Sequence, residues 1–270
     1  MAIITLTTDM GLKDHYVAVV KGAILTQHPA AVIVDVSHDI KPFDNSQAAY
    51  VLRNAYPAFP PGTIHIVGVN PEADRFAVHV VVKHQGHFFI GADNGIFPLL
   101  FEGKVDEAFE LTMKLDDDHM AFPTRSVFVK AACHLARGGT PETIGRKMGT
   151  LRERIGFQPA TDDKSIRARV IYIDSYGNLM TNVRRNLFDE VGRGRPFRIT
   201  FGHSADDITR LHSTYGDVND GMSVAFFNAS GHLEIAVNKG VEGSGGGAAR
   251  LLGMRENDTV RIEFSDRAKA

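Results

Sequence analysis

Two aspartates, Asp9 and Asp14, follow an apolar run in the segment TLTTDMGLKDHYV, residues 5 to 17. An ionised aspartate offers two acceptor oxygens, which suit a pair of adjacent sugar hydroxyls, and a second carboxylate nearby pairs with an ammonium. Together they suit a nucleoside bearing an amino acid. With His15 the same residues also form a candidate metal site, because hard cations favour carboxylates and imidazole suits zinc or iron. Against that reading, His15 has no H-E-x-x-H companion, and the acidic run at 116 to 118 followed by His119 reads as a solvated loop. Polar residues recur where other apolar runs end: SHDIKPFD from Ser37, then Asn70, then Asp93 and Asn94. Ligands in open α/β sheets bind beyond the carboxyl ends of the strands, so these exits imply a cleft. Each alone has a plainer use. Asp9 can cap a turn, Asp35 or His38 can bond backbone, and Asp93-Asn94-Gly95 is ordinary turn chemistry.

The elements that must position these residues alternate in type. Strand-like runs at 3 to 7, 32 to 36 and 63 to 69 are separated by helical patterns at 14 to 27 and 45 to 56, which predicts a mostly parallel sheet covered by helices. In the first helix Val17, Val20, Ile24 and the ring of Tyr16 fall near one face, and His28-Pro29 ends the pattern. Residues 76 to 95 read as a hairpin turning at Gln85-Gly86, so the sheet is expected to be mixed. Helices are expected at 124 to 137 and again from Thr140, with Thr140 as N-cap and Pro141 at the first helical position. Cys133, the only cysteine, has Ala131, Ala132 and Leu135 as neighbours and reads as a helix-core residue.

A polar stretch at 156 to 165 reads as a linker, after which helical periodicity largely disappears. RARVIYID, PFRITF, SVAFFN, HLEIAV and DTVRIEF are short strands between turn residues. The expected class is therefore α/β: an N-terminal mixed-sheet domain over 1 to 155 and a smaller C-terminal all-β barrel domain over 166 to 270. GVEGSGGGAARLLG lacks the lysine and Ser/Thr ending of a phosphate loop and reads as a flexible loop or an exposed turn.

Length and charge bound the partners. A chain of 270 residues is long enough for two moderate domains. Its formal net charge of -2 provides no basic field for nucleic acid or a membrane surface, so a small-molecule partner is expected. The apolar runs are too short to span a bilayer and the N-terminus does not read as a signal peptide, so a cytoplasmic location is expected.

The segments TLTTDMGLKDHYVAVVKGAIL, IVDVSHDIKPFD, FPPGTIHIVGVNP and GADNGIF, followed by IDSYGNLMTNV and NASGHLEIAVNKG, resemble in the same order the motifs of the S-adenosylmethionine hydroxide adenosyltransferase family, which includes fluorinases and chlorinases. The resemblance implies an α/β domain, a C-terminal β-barrel, and a homotrimer or dimer of trimers with S-adenosylmethionine between the N-domain of one subunit and the C-domain of the next. S-adenosylmethionine is then a substrate, with no separate cofactor. By motif position Asp9 would hold the ribose hydroxyls and Asp14 would lie by the methionine end. Phe43 falls where the family packs an aromatic residue on the ligand, a core role being the other reading. In the second half Asp174 would meet the methionine ammonium, Asn178 and Tyr215 the adenine, and Ser230 the methionine carboxylate. Burial alone would also explain Tyr215.

The chemistry implied is attack at C5′ with methionine leaving. A sulfonium needs no protonation to leave, so alignment and desolvation of the nucleophile carry the reaction. Here the chain departs from its hydrolase relatives. Asn70 stands at the motif position of their Asp and Pro123 at that of their His, and Arg75 follows Asn70 at a shorter spacing than the family's Arg. Halogenase relatives carry tyrosine at the Asn70 position. Thr124 stands where a fluorinase has a serine, and a helix N-cap is its other reading. The expected activity is cleavage of S-adenosylmethionine to adenosine and methionine with Asn70, Arg75 and Thr124 around the nucleophile. The alternatives are a catalytically silent nucleoside binder, a halide-dependent 5′-halo-adenosine synthase and a metal-dependent hydrolase.

Overall fold

A computed structural model describes residues 2–72, 77–103, 105–113, 121–201, 207–240 and 246–266. The chain divides into two compact units, Met1–Gly156 and Phe157–Ala270.

The first unit is a seven-stranded sheet. Strands β1 (Ile3–Thr8), β2 (Val32–Ser37), β3 (Ile64–Gly68), β4 (His79–His84), β5 (His87–Ala92), β6 (Glu107–Leu111) and β7 (Gly145–Met148) run in the order β2-β1-β3-β5-β4-β6-β7. The pairs β1/β2, β1/β3 and β3/β5 are parallel, and the rest are antiparallel. Among the described residues the α-helices of this unit are α1 (Tyr16–Gln27), α2 (Asn45–Ala55), α3 (Ile96–Phe101), α4 (Val129–Ala136) and α5 (Pro141–Ile144). Alternation along the strands divides the core. Ile4, Leu6, Ile64, Ile66 and Ile90 pack with Val20 and Ile24 of α1 and Ala131 to Cys133 of α4. Val67, Val80, Val82 and Phe89 pack on the other face with Ala48 and Leu52 of α2 and Phe97 of α3.

The expected hairpin forms, and Gln85 (φ 48°) with Gly86 (φ 81°) gives the two left-handed residues of a primed turn. Cys133 is fully buried in α4. Three local expectations are corrected. Tyr16 is 44% exposed rather than on the buried face of α1. The helix from Thr140 stops after four residues, without a side-chain cap bond from Thr140, because Gly145–Met148 finds backbone partners on β6 and becomes β7. The segment from Thr124 opens as a π-helical turn, Thr124–Phe128, before α4 begins.

The second unit contains β8 (Ala160–Thr161), β9 (Ser165–Ile173), β10 (Leu179–Arg184), β11 (Phe197–Phe201), β12 (Ser223–Phe227), β13 (His232–Val237) and β14 (Thr259–Phe264), with helices α6 (Arg185–Gly192) and α7 (Ala248–Leu251). The order β11-β14-β9-β10-β13-β12 is antiparallel throughout, with β8 on β9, and forms a half-barrel. Ile166, Ala168, Leu179, Val183, Ile199, Ile235 and Ile262 fill its core. The short helix α6 packs on this β unit: Phe188 is buried and meets Phe197 and Phe264 edge-on at 5.1 and 5.3 Å.

Candidate functional site

In the first unit β1 ends at Thr8, so Asp9 lies at the carboxyl edge of the parallel strands. Its Oδ2 accepts the Phe43 N–H at 2.9 Å. That bond holds Phe43 in a left-handed backbone conformation (φ 64°) and leaves its ring 71% exposed, which removes the core reading of this residue. The loop after β1 is tied down again by His38. Its carbonyl accepts the Gly11 N–H at 2.8 Å, and its Nδ1 lies 2.8 Å from Thr8 Oγ1. Asp35 sits 3.1 Å from His38 Nε2 and 2.6 Å from Lys21 Nζ. Burial opposes ionisation of Asp35, but the hydrogen bonds from Lys21 and His38 outweigh it and lower its pKa. Asp14 is exposed just ahead of α1.

Asn70 also has a left-handed backbone (φ 45°). The Asn94 amide donates to the carbonyls of Asn70 at 2.9 Å and Val69 at 3.3 Å, while its oxygen accepts the Ile96 N–H at 3.2 Å. Asn70, Phe43, Asn94, Glu72, Arg152 and Arg154 line a cavity of about 520 Å³. The lining segment at Arg152 is held by Asp93, 5% exposed, whose two carboxylate oxygens share the Arg152 backbone N–H at 3.0 Å each. Burial raises the Asp93 pKa against the pull of Arg152. Thr124 is fully buried, and its hydroxyl finds no partner among the described residues, so it caps no helix end. It packs on Gly68, where a Cβ would stand 3.0 Å from both Thr124 Cγ2 and Oγ1. Arg75, and the acidic run with His119, lie outside the described residues. Among the described residues no group of three or more His, Cys, Asp or Glu side chains is placed to hold a metal ion.

In the second unit the structure joins Asp174 to Asn178. Asp174 Oδ1 accepts the N–H groups of Tyr176 and Asn178 at 2.9 Å each, and Oδ2 accepts the Asn178 side-chain amide at 3.0 Å. Three donors occupy a carboxylate with about four acceptor positions, leaving room for one more. Tyr215 is 42% exposed, meets Phe226 edge-on at 4.8 Å, and donates its phenol proton to Glu234 Oε1 at 2.6 Å. Ser230 donates its backbone N–H and its hydroxyl to Asn228 Oδ1 at 3.0 and 2.6 Å. Asn228 in turn donates from Nδ2 to Glu234 Oε2 at 3.0 Å. Sequence reasoning missed Glu234. The only signal was a charged residue inside the apolar strand HLEIAV, which strand alternation assigns to a solvated face.

Comparison with known proteins covers both units. Residues 4–145 match the model of the SAM hydroxide adenosyltransferase N-terminal domain, and residues 168–261 match that of the C-terminal domain. An (R)-S-adenosyl-L-methionine hydrolase of Thermus thermophilus is 31% identical over 94% of this chain and 97% of its own length. A fluorinase of Nocardia brasiliensis is 26% identical over 87% of this chain and 90% of its own. The crystal structure of an uncharacterised conserved protein from Thermotoga maritima superposes with a TM-score of 0.83 at 27% identity, covering 97% of this chain and 99% of that one. With matches that run through both units in order, and a relative above 30% identity over nearly the whole length, the chain belongs to the SAM hydroxide adenosyltransferase family.

Proposed function

We propose that this protein cleaves S-adenosylmethionine, with water or hydroxide attacking C5′ to give adenosine and methionine. The full-length similarity to a protein named as an S-adenosylmethionine hydrolase carries the reading. Asp9 takes the ribose diol with the carboxylate capacity that the Phe43 N–H leaves free, and the exposed Phe43 ring packs on the ligand. Asp14 serves the methionine end. Asp174 takes the ammonium, Asn178 and Tyr215 the adenine, and Ser230 the carboxylate. The oxygen of the nucleophile forms the bond to C5′ while the C5′–S pair leaves on a sulfur that becomes neutral. The protein therefore has to align and desolvate rather than protonate a leaving group.

Asn70, Arg75 and Thr124 are the proposed surroundings of the nucleophile. An amide orients water but does not take its proton, so with Asn70 the proton of an attacking water passes to solvent, or hydroxide attacks directly. Activity accordingly rises with pH. Purified protein incubated with S-adenosylmethionine in halide-free buffer should release adenosine and methionine in equal amounts, and Asp9→Ala should release neither. No release by the wild type would overturn the hydrolase reading.

A second reading, a silent nucleoside binder, is favoured by one observation: the buried Thr124 hydroxyl and the amide of Asn70 bring no proton acceptor to the nucleophile. Thermal stabilisation by S-adenosylmethionine without turnover would support it. Product formation only on adding fluoride or chloride would instead mark a halide-dependent synthase.

A further inference from the structure

Glu234 is 2% exposed, yet it lies on the face of β13 turned away from the half-barrel core, which takes Leu233, Ile235 and Val237. Its strand neighbours Phe226 on β12 and Met180 on β10 are buried on that same face. A buried carboxylate is costly unless its oxygens are paired, and here each oxygen has its own donor: the Tyr215 phenol on Oε1 and the Asn228 amide on Oε2. The Asn228 amide has only one usable orientation. Its oxygen already accepts the Ser230 N–H, the Ser230 hydroxyl and the His232 N–H at 3.0, 2.6 and 3.2 Å, so its NH2 must face Glu234. A continuous chain of hydrogen bonds thus runs from Tyr215 through Glu234 and Asn228 to Ser230.

We propose that Glu234 is the positioning residue of this unit, one buried carboxylate that fixes both the Tyr215 ring and the Asn228–Ser230 turn as ligand contacts. The proposal rests on the nucleoside reading given above. Tyr215 is 42% exposed, and the Glu234 bond and the Phe226 edge contact orient its ring. Burial of Glu234, opposed by its bonds to Tyr215 and Asn228 and reinforced by the nearby charge of Asp174, raises its pKa. The same carboxylate, after burial, raises that of Tyr215 and keeps the phenol a donor.

Glutamine is close to isosteric, but it has a single acceptor oxygen. Since Asn228 cannot turn round, Glu234→Gln keeps its oxygen toward Asn228 and presents NH2 to the Tyr215 oxygen, which replaces the charge-assisted bond by a weaker one of reversed direction and spares the Ser230 turn. Calorimetric affinities of the full-length protein for adenosine and for S-adenosylmethionine then separate the two arms. Tyr215→Phe and the double variant should weaken adenosine binding alike, by about tenfold, and Glu234→Gln by less, because all three act on one tether and their effects do not add. Glu234→Ala, which cuts both arms, should weaken S-adenosylmethionine more than adenosine. If Glu234→Ala does not fold, the cycle between Glu234→Gln and Tyr215→Phe decides alone. Wild-type affinity in Tyr215→Phe, or losses that multiply in the double variant, overturns the positioning role and leaves the nucleoside reading intact. A wild type that binds neither ligand overturns that reading and this proposal together.

Discussion

At Asp9 one carboxylate orders a loop and, in the function proposed above, also meets the ligand. The variants separate these tasks. Asp9→Asn keeps an acceptor for the Phe43 N–H and removes the charge, whereas Asp9→Ala also frees the Phe43 backbone from its left-handed conformation. Charged hydrogen bonds are worth about 1.5–3 kcal/mol, so adenosine affinity should fall roughly ten- to a hundredfold in Asp9→Asn and further in Asp9→Ala. Equal affinity in wild type and Asp9→Ala, measured by titration calorimetry, would remove Asp9 from the site. A pH-sensitive group sits toward the amino-terminal end of the same strands. His65 is fully buried, with Nδ1 2.7 Å from Thr5 Oγ1 and Nε2 3.3 Å from His87 Nδ1. Burial, helped by His87, lowers its pKa from 6.5 to about 3. The unfolded chain therefore takes up this proton near pH 6.5 and the folded chain only near 3. Stability from neutral His65 is complete above pH 6.5 and is lost as pH falls through that window, amounting to about 2 kcal/mol by pH 5. Urea midpoints at pH 7.5 and 5.0 should differ less in His65→Gln than in wild type; an unchanged difference would assign the acid loss elsewhere.

Elements hold these residues through close backbone approaches. Gly247, at the start of α7, lies against the Asp174 turn: a Cβ on it would stand 2.0 Å from the Tyr176 carbonyl oxygen and 2.7 Å from Gly177 Cα. Ala249 donates its N–H to the Gly177 carbonyl at 2.8 Å. Part of the glycine-dense segment is therefore a packed support for Asp174 and Asn178, with residues 241–245 outside the described set. Gly247→Ala meets backbone that cannot swing aside and should cost about 1–3 kcal/mol or more in urea denaturation, with weaker S-adenosylmethionine binding. Gly22→Ala is the control. Gly22 is exposed in α1 with nothing within 4 Å of an added Cβ, and alanine there should stabilise by up to about 1 kcal/mol. If both variants behave alike, the close approach at Gly247 is not what supports the turn.

For the whole molecule, no helix among the described residues is long and apolar enough to cross a membrane. We propose the homotrimer that the family resemblance implies. Light scattering of the purified protein should then give about three times the chain mass of 29.6 kDa, or about six times for a dimer of trimers. A single-chain mass at micromolar concentration would overturn that assembly.

Period and turn chemistry determined a large part of this protein from its sequence. The apolar runs of β1 and β3, the spacing of Val17, Val20 and Ile24 in α1, and Gln85-Gly86 between two apolar strands each left one low-energy local choice, and each formed. The ordered motifs likewise identified the family. Where two choices were close, tertiary contacts selected. Residues 145 to 148 left the helical pattern because the edge of β6 offered backbone partners, and α6 is too short for its period to show before Phe188 finds the half-barrel core. The site divides in the same way. Asp9 drew attention as a carboxylate where an apolar run ends, and Asp174 through the motif IDSYGNLMTNV that resembles the family's. The exposed ring of Phe43, the sealed hydroxyl of Thr124 and the buried carboxylate of Glu234 were decided only by the folded chain, because burial and pairing depend on residues distant in sequence.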